Sequence, residues 1–100
     1  MTLSELETPS LILDQSRLAA NIAAMSARMK RHGVDLRPHL KTAKSADVAR
    51  LATAAHSGAI TVSTLVEAAY FARHGFRDIT YAVGVTLAKL PRGADRKSVV

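Results

Sequence analysis

Residues 36–44 read Leu-Arg-Pro-His-Leu-Lys-Thr-Ala-Lys. In an extended segment side chains alternate between two faces, so Arg37, His39 and Lys41 share one and Leu36, Pro38 and Leu40 the other. A lysine at the end of a strand can act as an amine nucleophile once it loses its proton. Burial and neighbouring positive charge both favour that loss, and Arg37, His39 and Lys44 are the cationic or potentially cationic neighbours. The chemistry would be Schiff-base formation with a carbonyl. The same spacing also describes a solvated strand face, or point charges that hold an anion. Spacing alone favours that plainer reading.

The elements that must position these residues repeat one plan. Asp14 is suited to an N-cap, and Leu18, Ile22, Met25 and Met29 follow at helical spacing up to His32-Gly33. A strand-like stretch, Val34 to Lys41, comes next. A second helix starts near Ser45, turns Val48, Leu51, Ala52 and Ala55 inward and stops at Gly58. Ala59 to Ser63 reads as a strand, and Thr64-x-x-Glu67 is a capping box that opens a third helix ending at His74-Gly75. Ile79 to Val83 is a further strand closing at Gly84, and Ser10 to Leu13 is strand-like too. The phrases Arg-His-Gly-Val, His-Ser-Gly-Ala and Arg-His-Gly-Phe are variants of one helix-stop, strand-start signal. Strands and helices joined by links this short predict parallel βαβ units. The fold class is therefore α/β, either an open doubly wound sheet or the first part of a (β/α)8 barrel. One hundred residues cannot close a barrel of about 250. The chain is expected to be the beginning of a larger protein rather than a miniature domain, since nothing staples it.

Composition excludes several classes. The chain carries 14 Lys and Arg against 8 Asp and Glu, a net charge of +6. Lys89, Arg92, Arg96 and Lys97 against Asp95 supply +3 of that excess. No basic helical face is interleaved with aromatics, which argues against nucleic acid as a partner. There is no cysteine, hence no disulfide framework and no thiolate site, which fits a cytoplasmic location. The N-terminus lacks a secretory pattern and no stretch approaches the ~20 apolar residues of a membrane span. His32, His56 and His74 fall at helix C-termini, where an imidazole complements the helix dipole. Met25 and Met29 read as core packing. Tyr81 could face a ligand, although core packing is the plainer reading.

The segments Thr-Pro-Ser-Leu-Ile-Leu-Asp (8–14), Leu-Arg-Pro-His-Leu-Lys-Thr-Ala-Lys and Ile60 to Ile79 resemble the D-threonine aldolase and D-serine dehydratase family, with its alanine-racemase type of fold. The family motif is close to Arg-Pro-His-x-Lys-Thr-x-Lys. The resemblance implies a (β/α)8 barrel, pyridoxal 5'-phosphate as cofactor, and Lys41 as the lysine that binds it as a Schiff base. Arg37 and His39 would then be cofactor-site residues that orient the ring or tune the lysine. It further implies a lyase acting on D-β-hydroxy-amino acids, by aldol cleavage of D-threonine or dehydration of D-serine, in a homodimeric parent. The family's divalent metal has its ligands near the C-terminal end of full-length chains, and no equivalent segment occurs here. Glu67 is explained as a helix cap.

On this reading residues 1–94 are the N-terminal part of the barrel and the C-terminal β-domain is absent. Asp95 to Val100 match one translated frame of a common sequencing adapter and are expected to be a non-native tail. The chain by itself is expected to be inactive. Two other readings are a non-catalytic pyridoxal-phosphate-binding barrel and a small basic nucleic-acid-binding module.

Overall fold

The computed structural model describes residues 2–84. The putting-together of strand and helix follows the predicted alternation. A single 3-10 turn, Leu3–Glu5, precedes α1 (Gln15–Arg31), α2 (Ala46–Thr53), β1 (Ile60–Val62), α3 (Leu65–Arg73) and β2 (Ile79–Tyr81). Each helix begins where its cap was expected. The side chains of Asp14, Ser45 and Thr64 accept from the backbone N–H groups of Arg17, Val48 and Glu67.

The helix stops are equally local. After α3, Phe76 N–H donates to the Phe71 carbonyl (3.1 Å) and Gly75 N–H to Ala72 (3.2 Å). This double closure requires a left-handed residue, which Gly75 provides at φ 94°. It also brings Phe76 against Phe71, ring centroids 5.6 Å apart and edge to face. The Arg-His-Gly after α1 closes the same way, with Val34 N–H on Met29 and Gly33 N–H on Lys30.

β1 and β2 pair in parallel, with Ile60 opposite Ile79, Thr61 opposite Thr80 and Val62 opposite Tyr81. On the other side of β1, His39 forms a parallel bridge with Thr61. Leu40 N–H donates to the Thr61 carbonyl and Thr61 N–H to that of Pro38, each at 2.9 Å. The segment 38–40 thus lies beside β1 in the sheet. Its extended run is shorter than the predicted strand, because Pro38 has no N–H to continue the ladder.

One face of this sheet carries the core. Leu40, Ile60, Val62 and Ile79 pack under Ala46 and Ala49 of α2 and Ala68 and Phe71 of α3. Tyr81, opposite Val62, shares that face and is buried, in keeping with packing. Three sequence expectations need correction. The buried stripe of α2 is Ala46, Ala49 and Thr53, not Val48, Leu51, Ala52 and Ala55. Small residues let the helix lie close to the sheet, whereas Leu51 turns toward α1 and lines a groove with Leu18 and Ile22. Met25 is 42% exposed, since α1 covers only the flank of α2 and contains no buried residue. Finally, Ser10 to Leu13 form no strand, and Leu11 to Leu13 stand exposed. Arg92 and the Asp95–Val100 tail lie outside the described residues.

Candidate functional site

The face of the sheet opposite the core is polar, and the register arranges it in rows. Arg37, Ala59 and Asp78 form the row at the N-terminal ends of the strands. His39, Thr61 and Thr80 form the middle row. Further on, Lys41 opens the turn that follows the segment 38–40, and Ser63 and Ala82 lie just past the C-terminal ends of β1 and β2. In parallel α/β folds the C-terminal ends of strands are where ligands bind, because the turns into the following helices gather there.

The three residues singled out in the sequence therefore lie along one short segment, yet they do not form one cluster. Arg37 is committed at the far end: its Nη1 lies 2.8 Å from Asp78 Oδ1, and it also donates to the carbonyls of Ile60 (3.1 Å) and Asp78 (3.3 Å). This clamp ties the segment before Pro38 to the starts of β1 and β2. Four residues of extended chain, ~13 Å, separate Arg37 from Lys41 along the backbone. The guanidinium holds the Asp78 carboxyl below the usual carboxylate range, and Asp78 in turn raises Arg37.

His39 sits closer to the site. Its Nδ1 accepts from the backbone N–H of Lys41 at 3.1 Å. The neutral ring thus carries its proton on Nε2, which leaves a donor available on the open face. Lys41 itself is exposed. The turn after it closes with Lys44 N–H on the Leu40 carbonyl (2.9 Å), and Lys44 occupies the left-handed region at φ 49°. A non-glycine residue there costs ~1–2 kcal/mol, so the turn is held by its surroundings. One such hold is Tyr70, whose hydroxyl accepts from Ala46 N–H at 3.1 Å, just beyond the Ser45 cap.

Glu67 only partly fits the predicted capping box. Its N–H reaches Thr64 Oγ1 (3.0 Å), but its carboxylate accepts from the hydroxyls of Thr64 (2.7 Å) and Ser63 (3.3 Å). It does not reach back to the Thr64 backbone.

A second constellation escaped the sequence reading. Ser26 Oγ lies 3.1 Å from His56 Nε2, and His56 Nδ1 lies 3.1 Å from Asp35 Oδ1. This resembles a nucleophile, base and carboxylate relay. Ser26 lies inside α1, however, where neighbouring N–H groups are taken by the helix, so there are no donors for a developing oxyanion. The cluster is instead a tie between α1, the segment before the sheet and the turn before β1. It corrects the view of His56 as a dipole complement, since its side chain is only 6% exposed. Leu36 N–H also approaches His56 Nδ1 at 3.3 Å; that nitrogen cannot donate and accept together, and the carboxylate is the stronger claimant. His74 does behave as expected, with Nδ1 3.0 Å from the Tyr70 carbonyl.

Ser57 also donates to Asp35, and these bonds hold that carboxyl below its ordinary value despite some desolvation. Asp35 and Asp78 thus have folded values lowered from the ordinary 3.8. Their contribution is complete above the unfolded value and is lost as pH falls through the lowered folded values. Thermal midpoints are therefore expected to hold between pH 7 and 5 and to decline below about pH 4. Asp78→Asn should flatten part of that decline.

Among the described residues, no three His, Cys, Asp or Glu side chains come together to hold a metal ion, and no helix is long and apolar enough to cross a membrane.

Parallel strands joined through helices place the chain in the α/β class. The chain belongs to the alanine racemase N-terminal domain family, whose pattern matches residues 13–99. It is 46% identical over 106 residues to D-threo-3-hydroxyaspartate dehydratase of Delftia sp. (strain HT23), covering 99% of this chain and 28% of the relative. It is 39% identical to D-threonine aldolase of an Arthrobacter species over 77% of this chain and 20% of that protein. D-serine dehydratase of Dictyostelium discoideum is 31% identical over 88% of this chain and 23% of its own length. The structure of the Delftia dehydratase superposes with a TM-score of 0.89 at 46% identity, over 96% of this chain and 25% of that one. The chain spans about a quarter of the length of these relatives, and they are lyases by name.

Proposed function

We propose that this chain is the N-terminal part, residues 1–94, of a pyridoxal-phosphate-dependent lyase acting on D-β-hydroxy-amino acids, with Lys41 as the residue that holds the cofactor as a Schiff base. The observation that carries this reading is the place of Lys41, an exposed amine just past the C-terminal end of a parallel strand segment.

The surroundings suit the cofactor. Thr61, Ser63, Thr80 and Ala82 are small, so the open face leaves room for a flat ring beside Lys41. His39 Nε2–H offers a donor to a ring substituent or to a carboxylate, and its bond to the Lys41 backbone fixes both residues in one orientation. Lys44, one turn on, adds positive charge toward an anionic ligand. Arg37, clamped on Asp78, supports the strand ends and not the ligand. When bound, pyridoxal phosphate supplies an electron sink for bond breaking next to the amino-acid α-carbon. The residues of this chain would hold, orient and accept protons. A divalent metal, if used, takes its ligands from outside the described residues.

Relatives named as dehydratases and aldolases share this part of the fold, so the choice between water loss and aldol cleavage rests on other parts of the enzyme. Turnover, a homodimeric state and a cytoplasmic location are proposed for a protein of the relatives' length; these 100 residues alone are expected to be inactive. The test is incubation of such a protein, loaded with the cofactor, with D-threonine, D-serine and D-threo-3-hydroxyaspartate. Formation of glycine and an aldehyde, or of a 2-oxo acid and ammonia, is the expected outcome. Cofactor binding without product from any of the three would favour a non-catalytic carrier.

A further inference from the structure

The two oxygens of Glu67 have unequal surroundings. The residue is only 8% exposed. Its Oε2 accepts from Thr64 and Ser63, whereas Oε1 is shut off from solvent without a hydrogen-bond partner. A buried carboxylate oxygen left bare is costly unless a donor completes it, and a cationic donor does so best. Helix capping does not supply that donor, because the cap closes through the Glu67 N–H and the Thr64 hydroxyl.

The position of the carboxylate narrows the choice. Ser63 holds it just past the C-terminal end of β1, and Lys41 follows the His39–Thr61 bridge on the neighbouring segment by the same two residues as Ser63 does on β1. Arg37 and Arg50 are already paired with Asp78 and Asp47. Lys41 has no ion pair among the described residues, and its long side chain is exposed at the same end of the sheet.

We propose that Glu67 is a positioning residue for Lys41, its Oε1 accepting a hydrogen bond from Nζ. The bond fixes the amine at the rim. The inference rests on Lys41 being the reactive amine, but its test requires no cofactor.

The test is competitive labelling of the folded, cofactor-free protein with trinitrobenzenesulfonate, read at Lys41 and Lys44 by peptide mass spectrometry. Glu67→Gln should raise Lys41 labelling near neutral pH roughly tenfold, the ordinary effect of removing an opposite charge a few Å away. Lys44 should not change, and Glu67→Asp, which keeps the charge, should stay nearer the unsubstituted protein. A Glu67 that only caps α3 would lower the thermal midpoint without moving Lys41 labelling. Equal labelling in the two folded proteins, or a change centred on Lys44, would overturn the proposal. If Glu67→Gln does not fold, Lys41→Met decides: a clear fall in thermal midpoint supports the bond, and an unchanged midpoint overturns it. Failure of the cofactor reading shows separately, as no visible absorbance with pyridoxal phosphate whatever the labelling.

Discussion

Lys41→Ala is expected to abolish the visible absorbance that the protein acquires with pyridoxal phosphate and, in the active enzyme, to remove turnover below detection. The amine is the only part of the side chain able to form a covalent bond with an aldehyde, and an alanine leaves nothing in its place. The fold should survive, with at most a lowered thermal midpoint, because Lys41 is exposed and lies outside the packed core. Its backbone N–H, which fixes His39, is retained. Lys41→Arg separates covalency from charge. Arginine stays protonated at any workable pH, so it restores an anion site but not a nucleophile. Absorbance lost in both variants, each still folded, is the expected pattern. Cofactor absorbance retained in Lys41→Ala removes Lys41 from its role, and activity retained in Lys41→Arg reduces it to a point charge.

Phe71→Ala is expected to have the largest effect on stability. Phe71 is fully buried, contacts Tyr70 and Phe76 edge to face with centroids at 5.0 and 5.6 Å, and joins α3 to the strands below it. Truncation of such a ring costs ~3–5 kcal/mol, a large share of the ~5–15 kcal/mol that holds an ordinary domain. It also strips Phe76 of the contact that accompanies the helix stop at Gly75. Urea denaturation of the folded protein should show a midpoint displaced far to lower concentration. A displacement equivalent to less than ~1 kcal/mol would mean that the ring lies outside the packed core.

How much of this was legible in the sequence depends on the range of the interactions. Asp14, Ser45 and Thr64 were readable as caps because a cap involves neighbours three residues apart. The Arg-His-Gly stops were readable for the same reason. The extended backbone before Leu40 was readable too, since strand period is local as well. Their fates were not local. Arg37 meets Asp78, 41 residues on, and nothing in the intervening sequence marks that pair. The tie of His56 to Asp35 and Ser26 likewise spans three elements. The inward stripe of α2 was misread because the larger residues were assumed to point inward. The sheet instead demanded small residues at close approach, and Leu51 turned to α1. The orphaned oxygen of Glu67 could not be read at all, since a capping motif accounts for the residue without saying where its second oxygen lies.

The roles of the basic face follow from these placements. The segment carries a clamp at one end, an oriented imidazole in the middle and an exposed amine at the other end.

The most direct measurement is borohydride reduction of the protein loaded with pyridoxal phosphate, followed by digestion and mass spectrometry of the lysine-containing peptides. The pyridoxyl group is predicted on Lys41, with Lys30 and Lys44 unmodified. A label on Lys44, or one scattered over the exposed lysines, would contradict the assignment of Lys41.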